Sequence, residues 1–136
     1  MKLKIVLSSI LMAVFFFGMS FSVLKPGPEP WLVPEKYQKM TNPVKSSSES
    51  IKTGKALWVK HCQSCHGKTG LGDGPKAAQL DTEPGDLSTA TLQKQSDGAL
   101  FYKTFEGRKD MPSFKKKIPD QEDVWNIVNF IRTLKK

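Results

Sequence analysis

Read for apolar and polar positions, the chain falls into three stretches. Residues 5–24 run without a charge after a start that carries Lys2 and Lys4. No polar face interrupts this run, which excludes an amphipathic core helix and predicts an export signal or a membrane anchor. A signal core needs about 7–15 apolar residues and a spanning helix about 20, so the length leans towards an uncleaved anchor. Small residues at Gly18/Ser20 or Ser20/Ser22 still offer a cleavage site. On either reading Lys2 and Lys4 stay inside and the remainder crosses the membrane. Residues 25–49 hold Pro26, Pro28, Pro30, Pro34 and Pro43 and then Ser46–Ser48, which predicts an extended, hinged tether. Trp31, Leu32, Val33 and Tyr37 are more apolar than a free linker requires. They either strap across the folded part or meet a partner subunit.

Residues 50–136 pattern as helices. Ser50 is placed to cap a helix over 51–61, with Ile51, Gly54, Leu57, Trp58 and His61 at helical spacing. Glycine inside that helix costs about 1 kcal/mol relative to alanine, so Gly54 predicts a second backbone passing close by. A short helix is expected around 76–80. Ser96 and Asp97 cap a further one over 98–106, which Gly107 ends. The last helix is the clearest: Asp120 caps it, Glu122 and Asp123 suit its positive end, and Arg132, Lys135 and Lys136 suit its negative end. Val124, Ile127, Val128, Ile131 and Leu134 form one apolar stripe with Phe130 beside it. No segment alternates for long enough to make a sheet, and the fold class is all-α. Fewer than 90 residues in short helices and glycine-rich loops make a marginal core, so something other than side chains must fill the middle.

Composition narrows the chemistry. The chain has a net charge of +8, yet only 2 His and 2 Cys. Without residues 1–24 the balance is 19 basic against 13 acidic residues, a net +6, which suits solubility or docking to acidic partners. No nucleic-acid motif accompanies it. The glycines at 70, 72 and 74 match neither a P-loop nor a dinucleotide fingerprint and read as a covering loop. Asp120, Glu122 and Asp123 are a helix start rather than a catalytic pair.

What remains is Cys62-Gln63-Ser64-Cys65-His66. Two thiols three residues apart with a histidine directly after them fit covalent attachment of one haem c, Cys62 and Cys65 as thioethers and His66 as proximal iron ligand. Three other readings compete with less support. Zinc would need four ligands from six consecutive residues, a redox dithiol would need a βαβ context, and a disulfide would close too small a loop to stabilise much. His61 reads as a helix-end residue. Beyond His66 the sequence has no further histidine, and Met111 is its one methionine there, on an irregular stretch and followed by Pro112. That placement makes Met111 the candidate distal ligand.

These residues resemble the class I c-type cytochromes of bacteria. The resemblance runs in order through Gly54 and Trp58, Cys62–His66, Gly67–Pro75, Gly107 to Met111-Pro112, and Asp123–Leu134. It implies a small cytochrome c-like fold of three to four helices wrapped around a covalently bound haem, with first and last helices crossing near Gly54 and Phe130. It also implies that the Pro75 carbonyl accepts from the second nitrogen of His66. With both axial positions filled, the expected function is one-electron transfer in a respiratory chain, with a haem peroxidase or gas sensor standing only if Met111 dissociates. Expected partners are redox proteins: a quinol-oxidising complex, a terminal oxidase or reductase, or a dehydrogenase. The chain would serve as a shuttle or as a fixed cytochrome subunit of a larger membrane complex. Arg108, Lys109, Lys115, Lys116 and Lys117 form either a docking patch or a solvated loop. The expected location is the bacterial inner membrane facing the periplasm, or the soluble periplasm if residues 1–24 are removed.

Overall fold

Backbone contact at Gly54 organises the helices. A computed structural model describes residues 29–136, so the signal or anchor read at residues 1–24 lies outside the described residues. Among the described residues there are six helices and no strand: α1 Glu35–Gln38, α2 Ser48–His61, α3 Gln63–His66, α4 Ala90–Gln93, α5 Asp97–Glu106 and α6 Gln121–Arg132, with a 3-10 turn at Ala77–Gln79. The architecture is all-α. A Cβ placed on Gly54 would lie 2.0 Å from the Asn126 carbonyl oxygen and 3.0 Å from Phe130 Cβ, so α2 and α6 touch backbone to backbone. One turn further on, the Trp58 and Phe130 rings pack with centroids 5.6 Å apart.

Helix α2 starts earlier than its sequence suggests. Ser47, not Ser50, is the cap, its hydroxyl accepting the Ser50 N–H at 3.1 Å. Ser50 is buried instead, and its hydroxyl accepts from Asn129 Nδ2 at 2.6 Å. The serine run offered several caps, and the one that frees Ser50 for α6 prevails. Helix α5 begins at Ser96 as expected, with its hydroxyl accepting the Ala99 N–H. Asp120 caps α6 through the Glu122 N–H. Helix α4, capped by Thr89, was not foreseen, and the helix expected at 76–80 shrinks to the 3-10 turn.

Every residue of α6 from Val124 to Ile131 is buried, well beyond one apolar stripe. The reason is that α6 is covered from several sides. Helix α2 covers one, and Phe101 of α5 stacks on Trp125 with centroids 4.2 Å apart on another. Residues before α2 cover a third: Asn42 Nδ2 donates to Asn129 Oδ1 at 2.8 Å, and Asn129 Nδ2 donates to the Val44 carbonyl at 3.1 Å. Arg132 closes the end of α6, its guanidinium donating to Asp97 Oδ1 and to the Gln93 and Gln95 carbonyls.

The stretch read as a tether therefore divides. One unit runs from Leu32 to Lys136, so the packed part starts well before Ser50. Tyr37 packs against Tyr102 of α5, the rings tilted by 44° with centroids 4.7 Å apart. Leu32, by contrast, is 84% exposed and straps nothing. Proline density says nothing of the two asparagines that fasten the segment.

Candidate functional site

Helix α2 delivers the chemistry at its C-terminal end. The Cys62 N–H still bonds to the Trp58 carbonyl, and Cys65 and His66 then both donate to the Cys62 carbonyl, at 3.1 and 3.0 Å. One tight turn therefore carries both thiols and the imidazole. Gly67 stops it with φ +79°. The loop that follows folds back over this turn: Gly72 donates to the His66 carbonyl, Gly74 to Cys65 and Lys76 to Ser64.

Neither cysteine is in a disulfide. Cys62 is buried, and burial pushes its thiol up to about 12, with Cys65 adding to the shift. It is a neutral thiol at physiological pH. Burial also holds His66 below the ordinary histidine value, so its ring is neutral and keeps a lone pair for a metal. Trp58 flanks this ring with centroids 5.6 Å apart, and its indole N–H donates to the Gly67 carbonyl at 3.1 Å. The sequence placed Trp58 at a helical position and in the family resemblance, without a contact to His66. Its signal was the spacing 58, 62, 66, which stacks three residues along one face.

His66 Nδ1 is buried and has no hydrogen-bond partner. Pro75, which the resemblance makes the acceptor for this ring, lies between two amides that donate to the Cys65 and Ser64 carbonyls, which fixes it on the same turn.

Met111 sits on a second tight turn. Arg108 and Met111 exchange N–H···O bonds of 2.8 and 3.0 Å across it, and Lys109 takes φ +53°. Gly107 has φ +70°, and a Cβ there would fall 2.4 Å from Ser113 N, so only glycine lets the loop double back this tightly. Ser113 Oγ donates to the Phe105 carbonyl, and Asp110 Oδ2 accepts the Thr82 N–H at 2.8 Å. Met111 is half-buried against the same hydrophobic cluster that contains Cys62. His61 lies elsewhere, edge-on to Phe114 at 6.0 Å, with burial and then Lys60 and Lys117 lowering its pKa. Among the described residues no group of three or more His, Cys, Asp or Glu could hold a metal ion, which leaves the zinc reading unsupported.

Two free thiols and a neutral buried imidazole on one turn are a donor set for an iron porphyrin. Comparison with known proteins agrees. Residues 49–131, more than half of the chain, match the family model described as cytochrome C oxidase, cbb3-type, subunit III, a c-type cytochrome domain. The chain belongs to this family. A cytochrome c domain of this kind implies electron transfer through a c-type haem. No curated protein matches the sequence significantly. Among solved structures, a chain of a reducing HAO-like protein complex from Kuenenia stuttgartiensis is similar, with TM-score 0.64 and 24% identity over 82% of this cytochrome. This chain spans about half (52%) of that one, and at such identity the likeness shows the fold. Among the described residues of the cytochrome no helix is long and apolar enough to cross a membrane.

Proposed function

We propose that this cytochrome carries one electron at a time on a single haem c bonded covalently to Cys62 and Cys65, with His66 and Met111 as its axial ligands. The observation that carries this reading is the imidazole of His66, its Nδ1 buried and without a hydrogen-bond partner, on the same turn as two free thiols. When bound, the haem supplies a one-electron Fe(III)/Fe(II) couple. The chain's own residues do the rest. Cys62 and Cys65 prevent the cofactor from leaving when its charge changes, and His66 and Met111 close both faces to oxygen and peroxide. A soft thioether and a buried site both favour the reduced state and raise the potential.

The reading extends to a respiratory chain at the periplasmic face of the bacterial inner membrane, with residues 1–24 as anchor, or to the periplasm if they are removed. Partners would be a quinol-oxidising complex, a terminal oxidase or reductase, or a dehydrogenase. Of the lysines near Met111, Lys115 is paired with Glu106 at 2.7 Å, and Lys109, Lys116 and Lys117 are exposed charges placed to steer an acidic partner. The second reading, a fixed subunit of a membrane redox complex, is favoured by the fastened segment 35–44, which a free shuttle does not need. A stable assembly in mild detergent supports the subunit, and a monomer supports the shuttle.

The test is extraction and spectroscopy of the matured protein. Pigment should resist acidified acetone, become extractable when Cys62 and Cys65 are both replaced by alanine, and show in its ferric form the weak red band of methionine ligation. Met111→Ala should remove that band. Pigment that washes out of the native protein refutes covalent attachment, and a band that survives Met111→Ala refutes the distal assignment.

A further inference from the structure

The turn that carries Met111 is fastened at its tip to a separate part of the chain. Its own closure comes from the paired Arg108–Met111 bonds and the tight passage of Gly107 beneath Pro112 and Ser113. Those bonds shape the turn, and Ser113 Oγ and the Phe114 N–H tie the chain just after it to the Phe105 carbonyl. Asp110, at the tip, reaches outward: its Oδ2 accepts the backbone N–H of Thr82 at 2.8 Å across 28 positions of sequence. Asp110 and Thr82 are both exposed, so packing does not demand a carboxylate here. A charged acceptor on a backbone N–H is among the stronger kinds of hydrogen bond.

We infer that Asp110 is a positioning residue, which, by tying the 108–111 turn to the loop at Thr82, holds the Met111 sulfur in place for axial ligation. This rests on the reading of Met111 as distal ligand. A thioether is a soft donor and ferric iron a hard acceptor, so in the oxidised protein this is the bond most open to displacement. There the freedom of the turn decides how readily another ligand enters. Asp110 limits that freedom in advance, which favours the attached methionine by preorganisation.

The experiment uses the full-length, haem-loaded protein in its oxidised form, titrated with imidazole while the red methionine band is followed. Wild type is compared with Asp110→Ala, Asp110→Asn and Met111→Ala, and thermal midpoints are recorded alongside. Losing one such bond corresponds to about a three- to tenfold change in an equilibrium constant. Asp110→Ala should therefore bind imidazole about three- to tenfold more tightly, with a weakened band. Asp110→Asn keeps an acceptor oxygen and should stay near wild type. If Asp110→Ala keeps wild-type imidazole affinity and band, the positioning role is overturned, even where its thermal midpoint falls. If Met111→Ala abolishes the band while Asp110→Ala changes nothing, the ligand stands and the positioning role falls alone. If Met111→Ala itself leaves band and affinity unchanged, both fall together.

Discussion

Replacing Gly54 by alanine sets two physical effects against each other, and the structure decides which prevails. In an isolated helix the change would stabilise α2 by about 1 kcal/mol. Here the new methyl would sit 2.0 Å from the Asn126 carbonyl oxygen and 2.6 Å from the carbonyl carbon. Both atoms are backbone within α6, so no rotamer can relieve the overlap. The helices must separate by about 1 Å to reach even a tight contact, and Trp58, Phe130 and Ile127 would lose packing along the seam. Overpacking of this kind costs about 3 kcal/mol where the neighbours cannot yield. The net effect is a loss of about 2 kcal/mol, or about 10 °C in melting temperature for a unit of this size. Ala56→Gly on the exposed side of α2 is the control, with propensity alone costing it about 1 kcal/mol. Melting and denaturant midpoints of both variants, measured on haem-loaded protein, give the answer. A Gly54→Ala protein as stable as wild type, or more so, would refute the close-approach argument.

Asn129→Ala removes a side chain that joins Asn42, the Val44 carbonyl and Ser50. It should cost about 2–3 kcal/mol and speed amide exchange over residues 35–44; unchanged exchange there would show that the segment is held by other contacts. Trp58→Phe keeps most of the ring but leaves the buried Gly67 carbonyl without its donor, at about 1–3 kcal/mol in denaturant titration. Asp86 is held below the usual carboxylate range by hydrogen bonds from the Ser88 hydroxyl and N–H. Its contribution is thus present above the unfolded-state value and lost as pH falls through the folded one. Ser88→Ala should be less stable than wild type at neutral pH, and the gap should close as acid protonates Asp86. A gap independent of pH would assign the loss to packing around the buried Ser88 instead.

The elements legible in the sequence were those specified by local chemistry. Ser96, Gly107 and Asp120 mark helix ends through their own hydrogen bonds or backbone freedom, and those boundaries hold in the structure. Gly54 was legible for the opposite reason, since a glycine is costly inside a helix unless something lies against it. The Cys62–His66 turn could be read because three reactive groups at fixed spacing have few uses. What escaped depends on partners distant in sequence. Ser47 displaces Ser50 as cap because Asn129 claims the Ser50 hydroxyl. Trp125, Asn126 and Asn129 look like the polar side of α6 until α5 and residues 42–44 cover them.

In a chain anchored as proposed, the docking of residues 35–44 limits how far the folded unit can stand from its anchor. Were every residue from 25 to 49 free, a chain held at its apolar N-terminal run could sweep a radius of about 90 Å at full extension. With the segment from Glu35 onward fastened to α5 and α6, at most ten residues can add to the reach, which caps it at about 35 Å. For a chain anchored as proposed, donor and acceptor must then lie within a few tens of ångströms of the same attachment point. Such a carrier hands electrons only to sites that stand within that distance of its anchor.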